Sequence, residues 1–297
     1  MLKRKDIRVR DPFILLDRGT YYLYATSGET TLSYYTSRDL ENWEEGGVAF
    51  QIPENFWAYR DVWAAEVHAY KGKFYLFVSL LGHHGLRGTQ IAAADHPGGP
   101  FLPLDDRPVT PLHQSCIDGT LFVHRGTPYI LYSHDWPDHY VEGKRAYIGE
   151  ICLAQLSDDL RSIVGQPEVL FASDEVPISK ATPDHRIWEE KEVIRYGSDA
   201  PFVQSLSDGR LLLTWSPYLN GNYVVLGAVS ETGDIHGPWT HLPQPIFDRN
   251  GGHAMFFRDG ADRLLMCLHA PEAHLLERAC LFQMGEQDGI LTALKEI

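Results

Sequence analysis

Cysteine is scarce in this chain, with four residues in 297, and none forms a C-x-x-C pair or sits at zinc spacing. That excludes a disulfide scaffold and a zinc ribbon. Cys116, Cys152, Cys267 and Cys280 are expected as reduced thiols, mostly buried in apolar runs. Basic residues are also few: 26 Lys and Arg face 40 Asp and Glu, a net charge of −14. Nucleic acid and anionic membrane both reward a basic face, so neither is an expected partner. A neutral or cationic ligand suits this balance better. No run approaches the ~20 apolar residues of a membrane helix. The first six residues are basic without a following apolar stretch, so no secretory signal is expected and the expected location is cytoplasmic. Also missing are the Gly-rich phosphate loops, H-E-x-x-H and G-x-S-x-G. Amphipathic helices are nearly absent, with a turn or two at most near 188–190 and 273–278.

What is present is a repeat. Hydrophobic residues make up 44% of the chain, enough for a real core. Short runs rich in Tyr, Phe, Val and Leu alternate with Gly, Pro, Asp and Ser, the punctuation of strands and turns. One strand type opens on an acidic or His residue: Asp11-Pro12-Phe13-Ile14, Glu66-Val67-His68-Ala69, Asp118-Gly119-Thr120-Leu121, Asp199-Ala200-Pro201-Phe202 and His253-Ala254-Met255-Phe256. Each is followed eight to twelve residues later by a stronger apolar strand, such as Tyr21-Tyr22-Leu23-Tyr24 or Leu211-Leu212-Leu213-Thr214, and then by a third. The five lead residues are 55, 52, 81 and 54 positions apart. Units of this length are the signature of propeller blades. The expected fold is therefore all-β, a single-domain five-bladed β-propeller over 1–297. Its blades lie at roughly 7–50, 61–107, 115–172, 197–247 and 250–290, with an insertion at about 173–195.

A blade buries its faces only against two neighbours, so the ring must close and its innermost strands line the axis. The lead residues then converge on one cavity. Like charges and burial drive grouped carboxylates apart in pKa, which supplies an acid and a base at one pH. Glycoside hydrolysis uses such a pair.

At this point Arg10-Asp11-Pro12-Phe13-Ile14, Trp63-Ala64-Ala65-Glu66-Val67, Cys116-Ile117-Asp118-Gly119-Thr120-Leu121-Phe122, Ser198-Asp199-Ala200-Pro201-Phe202 and Gly251-Gly252-His253-Ala254-Met255-Phe256 resemble glycoside hydrolase family 43. The resemblance covers about residues 7–285. It implies an inverting glycosidase acting on α-L-arabinofuranosides or β-D-xylosides. By the same resemblance Asp11 is the general base, Asp118 orients and tunes the acid, and Asp199 occupies the acid's position. The family's acid is usually Glu in Glu-Gly-Pro, and here the triplet is Asp199-Ala200-Pro201, one methylene shorter. Asp199, Glu66 and Asp135 therefore all stand as proton-donor candidates.

The remaining site candidates are sugar contacts. Trp63, Trp136, Trp215 and Tyr218 are candidate aromatic platforms. Phe13, two residues past Asp11, is a candidate wall. Glu66, Asp135 and Arg278 are candidate hydroxyl partners, and His134 a pocket or turn residue. His253 resembles an axial histidine near a bound calcium, so a structural Ca2+ held through waters is a candidate, with no cofactor required for the chemistry. The expected partner is a small oligosaccharide, and the sequence leaves the oligomeric state open. Two other readings remain: a glycoside phosphorylase, which needs cations around a phosphate, and a non-catalytic carbohydrate-binding propeller, which needs no acid–base pair.

Overall fold

Two-residue turns set the local geometry. At Arg18-Gly19, Lys71-Gly72 and Arg125-Gly126 both turn residues have positive φ, the I′ geometry that matches the twist of a tight hairpin. Each joins the innermost strand of a blade to the apolar strand after it, pairing Asp17 with Thr20, Tyr70 with Lys73 and His124 with Thr127. The second strands are buried along almost their whole length; every residue of Leu211–Ser216 is buried. A computed structural model describes the chain apart from residues 28, 135–137, 142–143, 189 and 288–289, with backbone alone at 138–141, 144–145, 188 and 287.

Five antiparallel sheets result. Blade I comprises Phe13–Asp17, Thr20–Tyr24, Thr31–Ser37 and Asn42–Gln51, with Leu2–Lys3 added at its outer edge. Blade II comprises Ala58–Tyr70, Lys73–Gly82, Arg87–Ala94 and Leu102–Pro103. Blade III uses Cys116–His124, Thr127–His134, Glu150–Leu156 and Ile163–Ala172. Blade IV uses Asp199–Ser205, Leu211–Ser216, Leu226–Ser230 and Trp239–His241. Blade V uses Gly252–Arg258, Leu264–Ala270, Arg278–Gln287 and Ile290–Glu296. The five first strands touch in the order I, II, III, IV, V and back to I. The fold is a closed five-bladed β-propeller whose apolar core lies between sheets.

The insertion differs from expectation. Strands Asp184–Trp188 and Lys191–Tyr196 do lie in it, behind a short helix, Pro177–Ala181. They form a separate four-stranded sheet with Asp138–Val141 and Lys144–Ile148, which come from inside blade III. The join is parallel, Ala146 against Ile194. In blade IV, Tyr223 pairs with Tyr218 in a small hairpin, and the third blade strand begins at Leu226.

Candidate active site

The hub is built by a repeated backbone device. Asp11, Ala64, Asp118, Ala200 and His253 all have left-handed φ, between 46° and 57°. In blades II to V the strand register shifts across each of these residues. Non-glycine residues rarely adopt this conformation, and it clusters at functional sites. The five positions are 53, 54, 82 and 53 residues apart, a tighter repeat than the sequence motifs gave. Glu66 is therefore not blade II's hub residue. It lies after the register shift, opposite Phe77, and its carboxylate meets His68 Nε2 at 2.9 Å. Asp199 precedes the left-handed residue of its blade and pairs across with Ser216.

Each left-handed residue turns its N–H toward the preceding blade. Ala64 donates to Thr26 Oγ1 at 2.9 Å, Asp118 to Ser79 Oγ at 2.8 Å and His253 to Ser216 Oγ at 2.8 Å. Asp11 donates to His269 Nδ1 at 3.2 Å. Blade IV departs from the pattern: Ala200 donates to the Asp118 carboxylate at 2.9 Å, and Ser133 bonds Ser198 at 2.5 Å instead. Asp118 is thereby tied to the strand that carries Asp199.

Three carboxyls and an imidazole meet there, all buried. Asp11 Oδ1 lies 3.1 Å from His253 Nδ1, and Asp11 Oδ2 accepts from Thr26 Oγ1 at 2.5 Å. Burial alone would raise the Asp11 pKa. His253 and Arg10 overcome it and hold the carboxyl well below the usual range. Burial opposes the charge on His253 too, but Asp11, with Asp118 and Glu66, lifts it to about 9. Asp118 goes the other way: burial, then the charges of Asp199 and Asp11, push it up to about 7 against the pull of His253 and the Ala200 N–H. Asp199 Oδ2 is 3.4 Å from Tyr223 Oη and 3.6 Å from Arg195 of the inserted sheet, while Oδ1 is buried without a hydrogen bond among the described residues. Gly252 makes room for this arrangement: a Cβ there would meet the Tyr223 ring at 2.7 Å.

Trp63 stays beside the hub, half-buried, with the Arg87 guanidinium 3.5 Å over its ring and held by Asp61 at 2.8 Å. Other candidates fall elsewhere. Trp215 is fully buried against Phe171 and His241, because alternation turns its neighbour Ser216 to the hub and Trp215 to the inter-sheet core. Phe13 is buried edge-on to His68, since the left-handed Asp11 breaks the alternation that would have aligned the two side chains. Phe13 lines a cavity of about 340 Å3 with His68, Phe202, Met255 and Phe257, and no hub carboxylate borders it. Arg278 donates to the carbonyls of Lys5, Leu275 and Glu277. Tyr218 is buried and donates to Glu272 at 2.5 Å. His134 bonds Glu150 at 2.6 Å. Asp135 and Trp136 lie outside the described residues. His253 commits its Nδ1 to Asp11. Among the described residues no group of three or more His, Cys, Asp or Glu is arranged to hold a metal ion.

Thr26, Ser79, Ser216, His269, Glu272, Tyr223 and Arg195 were missed as candidates. The first four, with Ser133, recur 53, 54, 83 and 53 residues apart at the ends of the second strands, a signal visible without coordinates. Glu272 and Arg195 carry no such local mark.

The sequence matches Glycosyl hydrolases family 43 over residues 5–289. It is 23% identical to "Xylosidase/arabinosidase 43A" of Humicola insolens over 283 residues, covering 86% of this chain and 81% of that one. It is 26% identical to a "Beta-xylosidase" of Xylanibacter ruminicola, covering 72% and 70%. Among solved structures, the endo-arabinase of Bacteroides thetaiotaomicron VPI-5482 superposes with a TM-score of 0.86 at 33% identity, covering 97% of this chain and 98% of that one.

Proposed function

The chain belongs to glycoside hydrolase family 43, and on that premise we propose that it cleaves α-L-arabinofuranosides or β-D-xylosides of short plant-type oligosaccharides with inversion. The substrate class follows what its relatives are called, xylosidase/arabinosidase and endo-arabinase. The observation that carries the reading is the split among the hub carboxyls. Asp11 is ionised by its imidazolium and guanidinium neighbours, while Asp118, beside Asp199, is pushed up to about 7. One side of the hub takes a proton and the other retains one at the same pH.

Asp11 accepts a proton from water as the water oxygen attacks the anomeric carbon. The bond from that carbon to the leaving oxygen breaks, and Asp199 delivers a proton to that oxygen. Asp118 acts through its hydrogen bond from Ala200, which fixes the strand bearing Asp199. Trp63, half-buried beside the hub, supplies the aromatic contact for the sugar.

The test is hydrolysis of aryl α-L-arabinofuranoside and aryl β-D-xyloside. Asp11→Asn is expected to lower kcat at least ~100-fold, as loss of a general base does, with the wild-type product released as the inverted anomer by NMR. Near-wild-type turnover in Asp11→Asn would remove Asp11 from the reaction.

A further inference from the structure

The seam between blades V and I differs from the others. Where three seams place a Ser or Thr hydroxyl opposite the left-handed N–H, this one places His269, fully buried, opposite Asp11. A serine would close the seam as it does elsewhere. An imidazole does more. Its Nδ1 accepts from the Asp11 N–H, so its proton sits on Nε2, which faces Glu272 Oε2 at 2.7 Å. Glu272 also accepts from Arg10 Nη1 at 2.6 Å and from Tyr218 Oη at 2.5 Å. The Tyr223 ring stacks on His269 at 5.5 Å and carries the hydroxyl that reaches Asp199.

We propose that His269 and Glu272 form a positioning dyad for the base, fixing Asp11 through its backbone N–H and holding Arg10 off its carboxylate. The proposal rests on the role given above to Asp11. Two consequences of the geometry support it. With its lone pair toward the Asp11 N–H, Nδ1 does not donate to Asp11 Oδ1, 3.5 Å away. Oδ1 is thus left to His253 and Oδ2 to Thr26, which sets the direction in which the base presents itself. Glu272 also draws the Arg10 guanidinium to 2.6 Å, whereas Arg10 stays 3.6 Å from Asp11. Without Glu272, Arg10 would close on Asp11 and compete with water for the base.

The test substitutes the answer used by the other seams. His269→Ser keeps a hydroxyl for the N–H but cuts the link to Glu272; Glu272→Gln keeps one acceptor oxygen for His269 and loses the charge and the second acceptor. Each is expected to lower kcat on an aryl glycoside ~10–100-fold with KM within about threefold, the signature of a misplaced reacting group. The double variant should be no worse than the worse single, since the two residues act as one unit. Wild-type kcat in His269→Ser would show the seam to be only a clasp, and multiplicative losses in the double variant would separate the two residues. 15N-histidine NMR of the wild type reads the dyad independently of turnover. The Nε2–H tautomer is expected, and an Nδ1–H tautomer overturns the proposal. If the wild type cleaves no glycoside, the hydrolase reading fails and the tautomer still decides the dyad.

Discussion

Asp118 is the hub residue whose charge costs most. Its folded pKa is raised from 3.8 to about 7, chiefly by burial and then by Asp199 and Asp11. Between about pH 4 and pH 7 the folded chain keeps a proton that the unfolded chain has released. Stability therefore falls as pH rises through that window and stays at the lower level above it. Asp118→Asn keeps an acceptor for the Ala200 N–H without the charge. It is expected to raise Tm by about 3–8 °C at pH 8, with the gain shrinking toward pH 4, while turnover drops at least tenfold. Thermal melts of both proteins from pH 4 to pH 8 check this. A difference in Tm that stays constant across the range would mean that the charge of Asp118 is not what the fold resists. Asp11 behaves in the opposite sense: its pKa is lowered by His253, so its contribution is lost only as pH falls, whereas that of His253, lifted to about 9 by Asp11, is lost as pH rises from about 6.5 through 9. Function and stability thus part company at one carboxyl and coincide at its neighbour.

At the scale of the element, the inner strand of blade IV sets the reach of the acid. Asp11 and Asp118 occupy left-handed positions, whereas Asp199 stands one residue earlier and points toward Tyr223 and Arg195. Arg195 arrives on Lys191–Tyr196, a strand of the inserted sheet. If Asp199 is the donor, Asp199→Asn should slow glycosides with poor leaving groups far more than activated aryl ones, which depart without a proton. Equal losses across a leaving-group series would move the donor role to another residue. The inner strands were legible from the sequence because Asp11, Asp118 and His253 stand at identical places in three repeats. Glu66 is a misleading lead because an acidic or His residue opens the other repeats, while its true equivalent is Ala64, recognisable only by its backbone. Trp215 misled because burial on both faces of a second strand cannot be told from exposure at its end. The inserted sheet was half legible. Its parallel join between Ala146 and Ile194 pairs segments far apart in sequence, and no periodicity within either segment announces the partner.

Over the whole molecule, the hub is also what closes the ring. Each blade leans on two neighbours, and each interblade seam passes through a buried N–H to a side chain of the preceding blade. An open chain of blades could lose its end units one at a time, as solenoids do. A ring has no end, so losing one seam exposes both flanking sheets and removes what holds the next. Ser79 serves the seam between blades II and III, and Ser216 that between IV and V; both are fully buried. Ser79→Ala and Ser216→Ala each leave an N–H unpaired, at a cost of about 1–3 kcal/mol. In urea, each variant is expected to show one transition, with tryptophan fluorescence and far-ultraviolet circular dichroism coincident and the slope unchanged. The seams share no residue, so the double variant should lose the sum of the two within about 0.5 kcal/mol. Two separated transitions in Ser79→Ala would instead mean that blades II and III melt on their own. The bonds at the hub would then position the carboxyls without holding the ring together.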